Sequence, residues 1–323
     1  MSLLAVTDLQ LCYTAADGVT STPVDRVSFA VERGEMLALV GESGCGKSLT
    51  GLALLGLVPP PGRIAAGSGI RLENDDLLAL DAAGLRRLRG GRIGMVFQDP
   101  MTSLNPVLTA GDQIAEAVRA HRPVTRQEAR ARAAALLGEV GIADPARRLD
   151  EYPHQLSGGM RQRVMIAIAL AAEPEIIIAD EPTTALDVTV QAQILELLDR
   201  LRLERGMAVL LITHDLGVVA GRADDMCVMY AGQIVERAST RQVFEAPAHP
   251  YTHGLFGSVP TIAGPRERLT PISGSVPPPA AWPTGCRFAP RCPERFARCD
   301  SMPSLRRAGP GHDARGWLTG DEA

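Results

Sequence analysis

The sequence predicts an α/β fold whose central sheet is mainly parallel and is covered by helices on both faces. A continuously apolar run, Met36–Val40, precedes a glycine-rich segment and an apolar helical stretch, as expected of a strand buried on both faces. Further along, the apolar runs 176–179 and Ala208–Thr213 flank a helix whose apolar side chains recur at helical spacing. Strands that alternate with helices are typical of such a sheet.

The composition favours one sizeable core with a smaller appended unit. The 323 residues are 46% hydrophobic, and 33 basic and 37 acidic side chains, well interspersed, give a net charge of −4. This balance produces no general field that favours nucleic acid or an anionic membrane. The sequence begins without a secretory pattern, and its apolar stretches fall short of the ~18 residues of a spanning helix. We therefore expect a chain inside the cell that reaches a membrane only through a partner.

A polar, alanine-rich stretch at about residues 99–160 predicts an inserted helical subdomain. Thr125 and Glu128 form the pattern of a capping box, and apolar residues follow at helical spacing. After about Glu236 the prolines become frequent, so we expect a loop-rich tail that needs a staple or a partner surface.

Residues 41–48, Gly-Glu-Ser-Gly-Cys-Gly-Lys-Ser, match the phosphate-loop pattern G-x-x-x-x-G-K-[ST] between a buried strand and a helix. The glycines allow backbone N–H groups to turn toward phosphate oxygens, and the helix N-terminus adds partial positive charge. Lys47 would reach the β- and γ-phosphates, and the Ser48 hydroxyl would take a position on Mg²⁺. The predicted nucleotide contacts here are Gly41, Ser43, Gly44, Cys45, Gly46, Lys47, Ser48 and Leu49.

Two carboxylates, Asp180 and Glu181, follow the apolar run 176–179. In open α/β sheets the ligand lies beyond the carboxyl ends of the strands, which is where this pair would emerge. Successive strand residues point to opposite faces, so the two carboxylates cannot share one role. We expect Asp180 to hold Mg²⁺, directly or through water, and Glu181 to polarise the attacking water.

Residues 156–163, Leu-Ser-Gly-Gly-Met-Arg-Gln-Arg, lie between the phosphate loop and the carboxylate pair and resemble the signature sequence of ABC ATPases. Ser157 is a good helix N-cap, and Gly158 and Gly159 expose backbone N–H groups at the helix start. The segment thus predicts a second anion site. In the family this site binds the γ-phosphate held by the opposite cassette, so the resemblance implies that two cassettes sandwich the nucleotide.

The other family positions follow in the expected order. Gln98 matches the glutamine that senses γ-phosphate and Mg²⁺, and Asp187 lies in a loop matching the one that crosses the dimer interface. His214 matches the switch histidine, and Tyr13 matches the aromatic that stacks on adenine. The resemblance implies catalytic roles for Glu181, His214, Gln98 and Lys47. It implies Mg²⁺ contacts from Ser48, Gln98 and Asp180.

The resemblance covers residues 1–240 as one cassette and implies a P-loop NTPase (RecA-like) fold with an antiparallel β subdomain and the inserted helices. Residues 241–323 would form a loop-rich, cysteine-containing extension. Within it, residues 248–252, Ala-His-Pro-Tyr-Thr, resemble the region just past the cassette in oligopeptide, dipeptide and nickel importers. The signature and the stretch 180–187 resemble the D-type member of the D/F pair of ATPases in such systems.

Three of the six cysteines are scattered, and the other three cluster near the end: Cys286, Cys292 and Cys299. In a cytoplasmic chain, clustering favours metal over disulfide. The three match three of four cysteines that hold an iron–sulfur cluster in some relatives, which implies a [4Fe-4S] cluster with His312 or an outside group as fourth ligand. The alternative is a remnant that binds no metal, because four thiolates are the usual requirement.

The resemblance therefore implies the ATP- and Mg²⁺-dependent subunit of an importer of the di- and oligopeptide class at the cytoplasmic face of the inner membrane. Its partners would be a homologous F-type ATPase or a second copy, two permeases and an external solute-binding protein. Nickel, glutathione and opine uptake remain alternatives. A soluble ABC ATPase of DNA repair, a tandem-cassette translation protein and a P-loop kinase are less compatible with one short cassette that carries the signature.

Overall fold

A computed structural model describes residues 2–15, 17–258 and 272–318. The chain forms two compact units. The first unit comprises Met1–Val31, Met36–Leu78 and Ile212–Ala323, and the second comprises Glu32–Glu35 and Ala79–Leu211. The chain passes from the second unit back to the first within one strand, Ala208–Thr213.

The strands range from two to twelve residues in length. They are β1 Leu4–Thr14, β2 Thr20–Val31, β3 Met36–Val40, β4 Arg63–Ile64, β5 Gly69–Leu72, β6 Asp75–Asp76, β7 Ile93–Val96, β8 Ile176–Asp180, β9 Ala208–Thr213, β10 Asp225–Tyr230, β11 Gln233–Ser239, β12 Leu305–Gly309 and β13 His312–Arg315. The helices are α1 Lys47–Leu54, α2 Ala82–Leu88, α3 Pro100–Ser103, α4 Ala110–His121, α5 Arg126–Glu139, α6 Pro145–Arg148, α7 Gly158–Ala169, α8 Val188–Arg205, α9 Leu216–Val219, α10 Thr240–Glu245 and α11 Pro250–Gly257.

The first unit contains an antiparallel sheet and a set of strands with mixed directions. The antiparallel sheet has the order β2-β1-β5-β6, and β4 also pairs with β1. The mixed strands follow the order β12-β13-β11-β10-β3, in which β10 and β3 are parallel and place Val228 opposite Val40. Every residue of β3 is buried, and Gly41 directly follows the end of this strand.

In the second unit, β8 lies between β9 and β7. β7 and β8 are parallel, with Val96 opposite Ala179, so their carboxyl ends lie side by side. Helices α3 to α7 lie between β7 and β8 in the chain. Of these, α5 buries the side chains of Ala129, Ala133 and Leu136. The predicted capping box at the start of α5 is confirmed, because the Thr125 and Glu128 side chains each bond the other's backbone N–H.

The predicted α/β fold, with its parallel strands, antiparallel sheet and inserted helices, is confirmed. The first strand, β1, spans eleven residues but has no regular apolar alternation. Register shifts in the β1–β2 ladder after Val6, Leu9 and Leu11 interrupt the alternation of apolar and polar side chains. A strand with such irregularities loses the period of two by which a sequence reveals it.

The tail has more regular structure than its prolines predicted. The hairpin β12–β13 joins β11, where Glu236 pairs with Ala314. These two strands are short and β12 is largely accessible to solvent, so neither carries a clear apolar pattern. None of the helices within the described ranges combines the length and apolar character required to cross a lipid bilayer.

Candidate nucleotide site

The phosphate loop, residues 41–48, approaches the backbone of its neighbours too closely for side chains at two positions. A Cβ at Gly41 would lie 2.1 Å from the Met229 carbonyl oxygen, which belongs to β10. At Gly46, where φ is 106°, a Cβ would lie 2.6 Å from the Pro23 carbonyl oxygen. These contacts explain two glycines of the motif by packing, in addition to the phosphate contacts that the pattern predicted.

Lys47 begins α1 and is almost fully buried. Its ammonium donates to the carbonyl oxygens of Gly41 and Glu42 at 2.7 and 3.0 Å, so the lysine lies across the loop. Gly46 precedes it as N-cap and has no side chain that could cap the helix start. Cys45 is buried, and this burial raises the pKa of its thiol. The thiol of Cys45 therefore stays protonated and serves as a buried packing group.

In the second unit, Gln98 and Glu181 contact one another directly. The Gln98 amide donates to Glu181 Oε2 at 2.9 Å, and the Thr184 hydroxyl donates to the same oxygen at 2.9 Å. Gln98 lies two residues beyond β7 and Glu181 one residue beyond β8, so the parallel pairing of these strands brings both side chains to one edge. Asp180, the last residue of β8, is also buried. Thr184 was not predicted to contact Glu181, since no spacing rule marks it.

The backbone at Glu181 is in the left-handed region, with φ at 45°. For a residue with a β-carbon this conformation costs on the order of 1–3 kcal/mol, and such strain clusters at functional sites. Two donors on one carboxylate oxygen, together with this backbone, give the Glu181 side chain a defined direction.

The signature segment forms the start of α7. Ser157 caps this helix, with its hydroxyl accepting from the Met160 N–H at 3.3 Å. A Cβ at Gly159 would lie 2.7 Å from a methyl of Val190 on α8. Asp187 caps α8 by accepting from the N–H of the same Val190 at 3.0 Å. The predicted signature and interface loop are therefore neighbours within the second unit.

The other two predicted residues lie in the first unit. His214 directly follows β9 and is exposed. Tyr13 lies on β1, and its ring contacts Gly62, where an added Cβ would fall 2.3 Å from the ring. Burial raises the pKa of the Tyr13 hydroxyl. The first unit thus holds Tyr13, the phosphate loop and His214, whereas the second holds Gln98, the signature, both carboxylates and Asp187.

Known proteins resemble both this geometry and the whole sequence. Residues 24–184 match the family model described as ABC transporter, and residues 235–299 match the model described as oligopeptide/dipeptide transporter, C-terminal region. The dipeptide transport ATP-binding protein DppD of Bacillus subtilis is 48% identical over 322 residues, 99% of this chain and 96% of that protein. The oligopeptide transport ATP-binding protein AppD of the same organism is 51% identical over 300 residues, which are 93% of this chain and 92% of that protein.

This chain belongs to the ATP-binding subunits of ABC transporters. Solved ABC cassettes agree with the assignment. A dimeric structure of the bacterial ABC transporter cassette MJ0796 is 30% identical, with a TM-score of 0.65, and covers 74% of this chain and 99% of that one. A post-hydrolysis dimer of that cassette bound to ADP and Pi gives a TM-score of 0.64. The predicted family and ATPase class of this ABC subunit are confirmed.

The cysteines of the ABC subunit's tail do not fit the iron–sulfur cluster that the resemblance implied. Cys286, Cys292 and Cys299 line one cavity of about 30 Å³. His312, the expected fourth ligand, instead bonds a carboxylate oxygen of Glu236 at 2.7 Å and does not line this cavity. Within residues 272–318 and the other described ranges, no three histidine, cysteine or acidic side chains are arranged to hold a metal ion. A four-thiolate cluster therefore lacks its donors here.

Burial raises the pKa of the Cys286 thiol and of the Cys292 thiol, which favours the neutral form over the thiolate that a metal requires. The residues present therefore do not fit the expected [4Fe-4S] cluster. Three thiols stand where four ligands are needed, and His312 is already bonded to the buried carboxylate of Glu236.

Replacing Gly159 by alanine is expected to destabilise the ABC subunit by roughly 1–3 kcal/mol, the usual cost of overpacking. The added methyl would meet the Val190 side chain, so Val190→Ala in the same chain should recover most of the loss. Chemical denaturation of the single and double variants measures both effects. A double variant that is no more stable than Gly159→Ala would show that the added methyl does not meet Val190.

The subunit purified without oxygen is expected to be colourless. Cys292→Ser should leave the protease resistance of the tail unchanged, because the half-buried thiol acts as a neutral packing group. Visible absorption with iron and sulfide analysis tests the first point, and limited proteolysis tests the second. Cys12→Ser, which alters a cysteine far from the cluster in sequence, is the matched control. A visible band that Cys292→Ser abolishes and Cys12→Ser retains would show that the tail holds a cluster.

Proposed function

We propose that this chain binds and hydrolyses ATP to drive the uptake of peptides of the di- and oligopeptide class. One observation carries the hydrolytic part: Glu181, at the carboxyl end of a buried strand, is held by Gln98 and Thr184 through one carboxylate oxygen. A carboxylate held in this way at the end of the strand is suited to polarising an attacking water. The relatives are named dipeptide and oligopeptide transport ATP-binding proteins, which supports the class of cargo.

Nucleotide binding would use the phosphate loop of the first unit. Backbone N–H groups at the start of α1 would receive phosphate oxygens, and the Lys47 ammonium would exchange its loop carbonyls for the β- and γ-phosphates. Tyr13 would stack on adenine. Oxygen donors suited to Mg²⁺ are Ser48, Gln98 and Asp180, and the ion, when bound, neutralises charge on the phosphates.

Hydrolysis would depend on Glu181 as the base that polarises the attacking water. Gln98 would link this carboxylate to the γ-phosphate end of the nucleotide, since its amide already contacts Glu181. His214 would contact the γ-phosphate from the end of β9. The strained backbone at Glu181 supports such a role, because strain of this kind is retained where a side chain must be aimed.

A second cassette would complete the site. Ser157, Gly158 and Gly159 present backbone N–H groups at the start of α7, where an anion is favoured by the helix dipole. These groups would bind the γ-phosphate held by the opposite cassette, with Asp187 nearby at the interface. The partner would be a homologous F-type ATPase or a second copy of this chain, and the dimeric ABC cassette structures support this arrangement.

The transporter would also contain two permeases and an extracytoplasmic solute-binding protein. The helical subdomain, about residues 99–160, would dock on the permeases, so the subunit would lie at the cytoplasmic face of the inner membrane as a peripheral protein. We further propose a division into a cassette, residues 1–240, and an extension, residues 241–323. The proposal contains no iron–sulfur cluster, because the tail lacks the four donors.

Glu181→Gln is expected to retain ATP binding and to lower ATP turnover by roughly 10²–10⁴-fold, because a neutral amide cannot act as the base. Nucleotide titration and phosphate release in the assembled transporter measure the two properties separately. The matched control is Glu204→Gln, which neutralises an exposed glutamate at the end of α8. Turnover within twofold of the unaltered complex would remove Glu181 from the role of base.

In proteoliposomes that contain the permeases and partner ATPase, di- or oligopeptide with the binding protein should stimulate ATP hydrolysis and accumulate inside. Lys47→Ala should abolish both effects, because nucleotide binding needs the ammonium. Nickel, glutathione and an opine are the comparison solutes. Accumulation of one of these in place of peptide would overturn the assigned cargo while leaving the ATPase assignment intact.

A further inference from the structure

One residue of the phosphate loop, Glu42, is held by the C-terminal region. The two terminal nitrogens of Arg291 each donate to one carboxylate oxygen of Glu42, both at 3.0 Å. The backbone N–H of Glu42 donates to the Tyr251 hydroxyl at 2.9 Å. Arg291 lies 249 residues from Glu42 in sequence and Tyr251 lies 209 residues away, and all three belong to the first unit.

The Arg291 guanidinium is fixed on every side. Its Nε donates to the Ser273 carbonyl at 2.9 Å, and Nη2 donates to the Gly274 carbonyl at 3.2 Å as well as to Glu42. Nη1 also lies 3.5 Å from the Tyr230 hydroxyl. The five N–H groups of an arginine are thus all used, and only 6% of the side chain is exposed. A planar, two-point contact of this kind determines direction as well as distance.

Tyr251 is equally constrained. It is fully buried, and its ring packs on Tyr230 at 4.6 Å between centroids and on Phe288 at 5.4 Å. Burial raises the pKa of its hydroxyl, so the group stays neutral and can accept from the Glu42 N–H. Tyr230 is the last residue of β10, and the preceding Met229 supplies the carbonyl that contacts Gly41.

Glu42 in turn contacts the residue that binds phosphate. Its carbonyl oxygen accepts from the Lys47 ammonium at 3.0 Å and from the Cys45 N–H at 3.4 Å. The side chain, the N–H and the carbonyl of this one residue therefore connect the tail to the loop. Arg291 and Tyr251 are therefore linked to Lys47 through contacts of a single residue of the loop.

We propose that Arg291 and Tyr251 are positioning residues for nucleotide binding, which act through Glu42 to hold the phosphate loop in its binding conformation. The inference rests on the proposed function, since it assigns the loop to ATP. Both residues would act through Glu42 and not by direct contact with the nucleotide. The C-terminal region thereby contributes to the affinity of the cassette for ATP.

Arg291→Lys keeps the charge but loses the two-point contact. Tyr251→Phe removes the hydroxyl that accepts from the Glu42 N–H and keeps the buried ring. Each is expected to raise the Kd for ATP of the full-length chain about tenfold, the size that couplings between contacting residues reach. The assembled transporter should show the same rise in KM with kcat within twofold. Combining Arg291→Lys with Glu42→Gln should add little to either single change, because both remove one contact.

Asp313→Asn is the control that loosens the tail elsewhere. Asp313 pairs with Arg237 and Arg307 at 2.9 Å each and makes no contact with Glu42. Its variant should keep the ATP affinity of the unaltered chain. An equal loss of affinity in Asp313→Asn would show that docking of the tail in general, not Glu42, sets affinity, and would overturn the inference.

Unchanged ATP affinity in Tyr251→Phe and in a folded Arg291→Lys would also overturn it. If Arg291→Lys does not fold, Tyr251→Phe decides, since it removes a single oxygen. Failure of the proposed function would give a different result. In that case the unaltered chain would bind no ATP, and the unaltered transporter would not hydrolyse it. Normal ATP binding and turnover in the unaltered protein with unaffected variants would defeat this inference alone.

Discussion

The phosphate loop lies directly on the backbone of β10, and much of the first unit follows from that close approach. A Cβ at Gly41 would fall 2.1 Å from the Met229 carbonyl, so the loop can occupy this position only with glycine there. The loop backbone is also bonded to the turn after β10, where the Gly232 N–H donates to the Cys45 carbonyl at 2.9 Å. The conformation of the loop is therefore imposed by a strand almost two hundred residues away in sequence.

A different constraint governs the second unit. Parallel pairing of β7 with β8 places Val96 opposite Ala179, so the residues that follow each strand emerge at one edge. Gln98 and Glu181 meet there, and the left-handed backbone at Glu181 directs its carboxylate toward the amide. The register of the two strands brings Gln98 and Glu181 close together, and the strained backbone at Glu181 sets the direction of its side chain.

The tail is held by buried charged side chains, each of which has an oppositely charged or hydrogen-bonding partner. Glu236 is completely buried, and its carboxylate accepts from the N–H groups of Ala248 and His249 and bonds His312. Burial lowers the pKa of His249 to about 3, so this ring is neutral, and its Nδ1 accepts from the Tyr251 N–H at 3.0 Å. Arg287 pairs with Asp25 at 2.5 Å, with both side chains largely buried. Buried charges of this kind are tolerated because each has its partner, and they supply the staple that the proline content indicated was needed.

The sequence by itself determined the α/β class, the phosphate loop, the carboxylate pair and the signature. These features depend on residues that are close in the chain, where glycine spacing, capping residues and apolar runs act locally. The sequence also marked Gln98 as a residue of the site. It did not indicate that the Thr184 hydroxyl would donate to the same Glu181 oxygen as the Gln98 amide.

Only the tertiary structure decided which partners the side chains of the tail contact. The contacts of Glu42 with Arg291 and Tyr251 join residues more than two hundred positions apart, and no periodicity or motif marks such pairs. The same holds for His312, which sequence reasoning assigned to a metal site and which the packing of β13 beside β11 delivers to Glu236. A side chain with several chemically acceptable partners takes the one that the fold places nearest, and that choice is made by long-range packing.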